Sequence, residues 1–143
     1  MFELDPRLAN DCCVVGDLPL CRVLLMKDAR YPWLILVPRR ADISEVFDLE
    51  ETDQHALWHE ASAVAEGLKD LVSADKMNIA TLGNVVSQLH VHVVARVQGD
   101  ETWPAPVWGR GEAQPYSEDA LSAFVARVQA WLAGDAFQPA ERV

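Results

Sequence analysis

Between Gln88 and Val94 the chain alternates without a break: Gln88, His90 and His92 interleave with Leu89, Val91 and Val93. In an extended strand, residues two apart share a face. A slip of one residue would turn the apolar set to water and the polar set into the core. The stretch therefore demands a sheet whose one face is covered, with two imidazoles and an amide on the other. Histidines at i and i+2 have Cα atoms about 6.6 Å apart. Both rings can meet one small anion or one metal ion. This strand reads from Gln88 to Val97.

The rest of the chain supplies partners for it. Cys21–Met26 reads as a strand, Lys27–Pro32 as the turn after it, and Trp33–Val37 as a second strand stopped by Pro38. Strands joined by so short a link pair antiparallel. Asp48 has the spacing of an N-cap, with Glu51 three residues on. Leu57, Ala61, Val64, Ala65, Leu68, Leu71 and Val72 keep a helical period after it. Lys76–Thr81 is a weaker strand and Leu82-Gly83-Asn84 a turn. The prolines and glycines between Asp100 and Gly111 forbid regular structure there. Trp103 and Trp108 in that loop need a surface to cover: the strand beside them, a second subunit or the core. A last helix, capped by Ser117, turns Leu121, Phe124, Val125, Val128 and Leu132 inward and ends near Gly134. Locally paired strands with helices between them make an α+β domain around an antiparallel sheet. One domain over residues 1–143 is the expected organisation, with its core at about 15–110 and the last helix at about 117–133.

Composition narrows the partners. The net charge is −10, with only 12 Lys and Arg, and Arg39-Arg40 is the nearest thing to a cluster. Phosphate-backbone affinity comes from such residues, so no nucleic acid polymer is expected. A small anion held by a few N–H donors remains compatible with this charge. No apolar run reaches the length of a membrane span. Met1–Asp5 has neither a basic start nor a signal-like apolar stretch. The expectation is a cytoplasmic protein with no membrane partner.

Other histidines and the cysteines carry less. His55 and His59 share a helix face, but Ala56 stands where a zinc protease needs glutamate. They read as a solvated face. Cys12, Cys13 and Cys21 are odd in number and lack C-x-x-C spacing, which argues against disulfides and zinc knuckles. No metal and no cofactor are expected. On the residues alone, His90 and His92 remain open to catalytic, metal-binding or structural use.

Gln88-x-His90-x-His92, followed by Val93-Val94 and then Arg96, resembles the histidine-triad (HIT) superfamily, which carries His-φ-His-φ-His-φ-φ on its last long strand. Trp33–Val37 with Pro38-Arg39-Arg40 is similar to the family's strand ending in Val-Ile-Pro-Lys. Asn78 and Gly83-Asn84 fall where the family keeps an Asn and a phosphate loop. Two positions depart: Gln88 replaces the first histidine, and Trp33 stands at the family's frequent histidine on the second strand. The chain thus resembles a divergent bacterial group of small HIT proteins. The resemblance implies a HIT-like fold, an antiparallel sheet of about five strands with two main helices. It also implies a homodimer and attack by the middle histidine, His90, on the α-phosphorus of a nucleotide conjugate or dinucleoside polyphosphate. A covalent nucleotidyl-histidine would form and water would release the nucleotide. His92 would stabilise charge at the phosphate. Gln88, Asn84 and Asn78 would contact phosphate, and Asp28 the ribose hydroxyls. The alternative is a pocket that binds nucleotide with little or no turnover. Nδ1 of a nucleophilic His90 needs an acceptor, such as a backbone carbonyl, to fix its tautomer.

Overall fold

A computed structural model describes residues 1–134 and 136–141. In chain order the elements are α1 (Pro6–Asp11), β1 (Cys12–Asp17), β2 (Cys21–Met26) and β3 (Trp33–Pro38), then a 3-10 turn (Val46–Asp48). There follow α2 (Glu51–Val72), β4 (Lys76–Ala80), β5 (Val91–Arg96), α3 (Glu118–Leu132) and the short β6 (Gln138–Pro139). The strands form one antiparallel sheet in the order β4-β5-β3-β2-β1-β6. This is the expected α+β fold, with six strands rather than about five.

The sheet is covered on both sides. Cross-strand partners share a face, and Leu34 pairs with Val93 and Leu36 with Val91. These side chains join Val23, Leu25 and Leu89 beneath α2 and α3, against Leu57, Ala61, Val64, Leu68, Val125 and Val128. On the opposite face Ile35 pairs with His92 and Trp33 with Val94. There Leu8, Cys12, Leu24, Tyr31 and Val107 form a second cluster, with Phe2, Leu4 and Trp108 at its margin. Every residue of β3 and β5 is consequently buried. Gly67 on α2 lets the Trp131 ring of α3 lie against the helix backbone, because a Cβ there would fall 1.6 Å from that ring.

Three expectations shift. The His strand runs from Val91 to Arg96, not from Gln88 to Val97. Its ladder fails upstream because β4 ends at Ala80, opposite His92, and Pro38 of β3 lacks a backbone N–H to continue. Instead, Leu89 N–H donates to Ile43 C=O at 2.9 Å. Asp48 does not cap α2. Its carboxylate accepts from Ser44 and Glu45 N–H within the preceding turn, and Glu50 takes the N-cap position without a side-chain bond. Finally, α1 and β1 are elements that the sequence pattern does not announce. Their apolar run is short, and a bulge between Val14 and Gly16 breaks its alternation. Ser117 does cap α3, accepting from Ala120 N–H. Among the described residues no helix is long and apolar enough to cross a membrane.

Candidate active site

His90 lies one residue before β5 and is 5% exposed. Its Nδ1 sits 2.6 Å from the Gln88 carbonyl. A carbonyl only accepts, so Nδ1 carries the proton and the lone pair is left on Nε2. The backbone acceptor that a nucleophilic His90 needs is therefore present. It is itself held firmly. Gln88 Oε1 accepts from Asp5 N–H, and Gln88 Nε2 donates to Glu3 C=O, both at 2.8 Å. Arg7 adds a bond to Val85 C=O. The first motif position thus works through its carbonyl, while its amide straps the N-terminal segment to the loop ahead of β5.

His92 is arranged the opposite way. The Trp33 indole Nε1 lies 3.0 Å from His92 Nδ1. An indole N–H only donates, so His92 Nδ1 accepts and its proton is on Nε2. Burial, reinforced by the neighbouring His90, pushes the His92 pKa down to about 4. The His90 and His92 rings meet edge to face at 4.9 Å, and Trp108 closes on His92 at 5.4 Å. One ring therefore offers a lone pair and the other an N–H donor. That combination suits attack on an electrophile whose oxygens gain charge. His92 nitrogen resonances should stay fixed from pH 8 to pH 6 and move most near pH 4. Trp33→Phe should turn the single Nε2–H tautomer into a mixture and lower stability by about 1–2 kcal/mol. Titration of wild-type His92 near pH 6.5 would contradict this arrangement.

The remaining sequence-selected residues divide. Asn84 is exposed in the loop 81–87. Asn78 is on the histidine face of β4, but its Oδ1 accepts from Arg96 at 3.0 Å. Asp28 is 1% exposed and faces Arg30, with Oδ2 at 2.7 Å from Nη2, and the Gln114 N–H. Burial raises its pKa, yet the bonds from Arg30 and from the Arg30 and Gln114 backbone outweigh this and hold it below the usual carboxylate range. Neither Asn78 nor Asp28 has a bond to the histidines. His55 and His59 are exposed, as read. Sequence reasoning missed Trp33 as the partner of His92. The signal was its place at a position usually held by histidine. Trp108, left open between three surfaces, packs on His92 and on Trp33 at 6.1 Å. Trp103 lies against the Arg96 guanidinium at 5.7 Å. Among the described residues, no three His, Cys, Asp or Glu side chains gather as a metal site.

A family model described as HIT domain matches residues 7–99. The crystal structure of a histidine triad protein from Sinorhizobium meliloti 1021 is 53% identical, with a TM-score of 0.90 over 92% of this chain and 98% of that one. A histidine triad protein from Marinobacter aquaeolei VT8 is 47% identical, with a TM-score of 0.90 over 92% and 96% of the two chains. One from Bradyrhizobium japonicum is 46% identical, with a TM-score of 0.89 over 92% and 98%. No curated protein matches the chain.

Proposed function

This chain belongs to the HIT family, and we propose that it is a nucleotide hydrolase or transferase working through a covalent nucleotidyl-histidine. The observation that carries the reading is the pairing of tautomers: Nδ1 of His90 on the Gln88 carbonyl, Nδ1 of His92 on the Trp33 indole. Nε2 of His90 attacks the α-phosphorus. His92 Nε2–H donates to a phosphoryl oxygen and gains strength as charge builds there. Asn84 and the N–H groups of its loop are further donors to phosphate. We assign Asn78 and Asp28 to supporting the scaffold, since Arg96 and Arg30 occupy them.

The test is trapping. Protein mixed with a nucleotide conjugate is quenched in alkali, which spares phosphorus–nitrogen bonds, and its intact mass is measured while chromatography follows free mononucleotide. A mass gain of one nucleotidyl group with release of mononucleotide is expected. Binding without either would favour the second reading, a receptor for nucleotides. Gln88 motivates that alternative, because its amide is already bonded to Glu3 and Asp5. We also read the chain as a homodimer. Strand β4 is an open sheet edge, and Ile79, Leu82 and Val97 are 43%, 49% and 40% exposed. Sedimentation equilibrium should give twice the chain mass, and a monomer at micromolar concentration would remove this part.

A further inference from the structure

A group leaving an α-phosphorus takes the bonding electron pair with it. Strongly basic groups, such as alkoxides and amide anions, depart only if a proton reaches them in the transition state. The surroundings of His90 hold few candidate sources. Between Met77 and Ala95 the only titratable side chains are the two histidines, and β3 has none. His90 is the nucleophile, and its Nδ1–H is spent on Gln88 C=O. His92 has its proton on Nε2 as a neutral imidazole. A second proton would have to enter at Nδ1, against the indole N–H of Trp33. Gln88, where an imidazole could have served, is an amide bonded at both ends to the N-terminal segment. Glu3, Asp5 and Asp42 line one cavity with Gln88. Asp5 reaches Gln88 through its backbone and gives a carboxylate oxygen to Arg7 N–H. None of the three carboxylates bonds to His90 or His92, whose Nδ1 atoms face Gln88 C=O and the Trp33 indole. Trp33 and Trp108 bring only indoles, which keep their protons.

We propose, resting on the reading above, that this site has no proton donor for the departing group. It turns over only nucleotides whose α-phosphorus bears a weakly basic leaving group: a phosphate, a polyphosphate or an acidic aryl oxide. The step balances without a proton transfer. Nε2 of His90 bonds to phosphorus as the phosphorus–oxygen bond to the leaving group breaks. The electron pair departs on that oxygen as an anion, and the His90 ring becomes cationic with Nδ1–H still on Gln88 C=O. Water then attacks phosphorus and gives a proton to solvent. The phosphorus–nitrogen pair returns to Nε2. A low His92 pKa agrees with this picture.

The test uses wild-type protein and four AMP derivatives that differ only in the leaving group: the p-nitrophenyl ester, the phenyl ester, diadenosine triphosphate and an n-butyl phosphoramidate. Departure of the leaving group is followed by rapid-quench chromatography in a single turnover at saturating protein, so that neither weak binding nor the water step common to all four derivatives sets the rates compared. A missing general acid is worth about 10²–10⁴-fold for a basic leaving group. The p-nitrophenyl ester and the triphosphate should therefore exceed the phosphoramidate by about 10³-fold or more, and the phenyl ester should fall between. If the phosphoramidate comes within tenfold of the triphosphate, while His90→Ala is inactive on both, a proton donor is at work. The leaving-group inference then falls and the nucleotidyl-histidine reading survives. If no derivative releases AMP, both fall together.

Discussion

His90→Ala should abolish nucleotidyl trapping and reduce mononucleotide release by about 10⁴-fold or more, the scale seen when an enzyme's nucleophile is removed. The loss should fall on kcat, because His92, the loop 81–87 and the sheet face that would hold the substrate are untouched. The fold should survive. His90 has one bond, to the carbonyl two residues before it, and losing such a bond costs about 1 kcal/mol. Unchanged circular dichroism and a small shift in urea midpoint would show this. His92→Ala should behave differently, keeping the covalent label but forming it about 10²-fold more slowly, as expected when a charge-stabilising donor is lost. If His90→Ala retained a tenth of the activity, or still took up the label, the nucleophile would lie elsewhere.

Arg96→Ala should be the most destabilising single change near the site, at about 3–5 kcal/mol. Arg96 is 1% exposed. Its Nε and Nη2 grip both oxygens of Asp100 at 2.8 and 3.0 Å, and Nη1 reaches Asn78 at 3.0 Å. Its guanidinium also lies 5.6 Å from the Tyr31 ring and 5.7 Å from that of Trp103. Removing it strands a carboxylate whose side chain is 6% exposed. Arg96→Met with Asp100→Asn removes both charges together and should recover a large part of the loss, which separates an uncompensated charge from lost packing. Acid should act in the same direction. The Arg96 hydrogen bond, opposed by burial, holds the Asp100 pKa below the usual range. A depressed carboxylate contributes fully above the unfolded value of about 3.9 and is lost as pH falls through the folded one. Wild-type melting temperature should therefore drop below about pH 4, and less steeply in the double variant. Melting unchanged by Arg96→Ala would leave the network without a structural role. Asp100 also accepts from Thr102 and Trp103 N–H, so the pair holds the loop that lays Trp108 on His92. Trp fluorescence should report that loop loosening before global unfolding.

Much of the local geometry around the two histidines is legible in the sequence. The alternation at 88–94 put Leu89, Val91 and Val93 under the helices and kept His90 and His92 together on the other face. The need for an acceptor at His90 Nδ1, a backbone carbonyl being one example, follows from imidazole chemistry alone. What stayed illegible depends on register and on distant backbone. That Trp33 meets His92 follows from pairing Trp33 with Val94 and Ile35 with His92, which no local pattern encodes. That Gln88 is a strap follows from Glu3 and Asp5 arriving beside it from 85 and 83 residues away. Asp28 had the right chemistry for a ribose, but nothing local announces that Arg30, two residues on, folds back onto it. The Asp48 spacing was real and served a different turn, since a 3-10 turn and an α-helix ask for the same acceptor.

The position of β5 bears on how the chain is made. It inserts between β3 and β4, and its bond to β3 through His92 and Trp33 joins residues 59 apart. A ribosome must therefore finish the 22-residue helix α2 and all of β4 before β3 gains its second neighbour. Until then β3, apolar throughout, presents an open edge, the kind of template on which nascent chains misassociate. Closing it is a long-range event and correspondingly slow. The strand that brings the histidines is thus also the one that seals the sheet. Conditions that crowd nascent chains should cost both yield and the assembled histidine pair, because a chain that fails to dock β5 loses both at once.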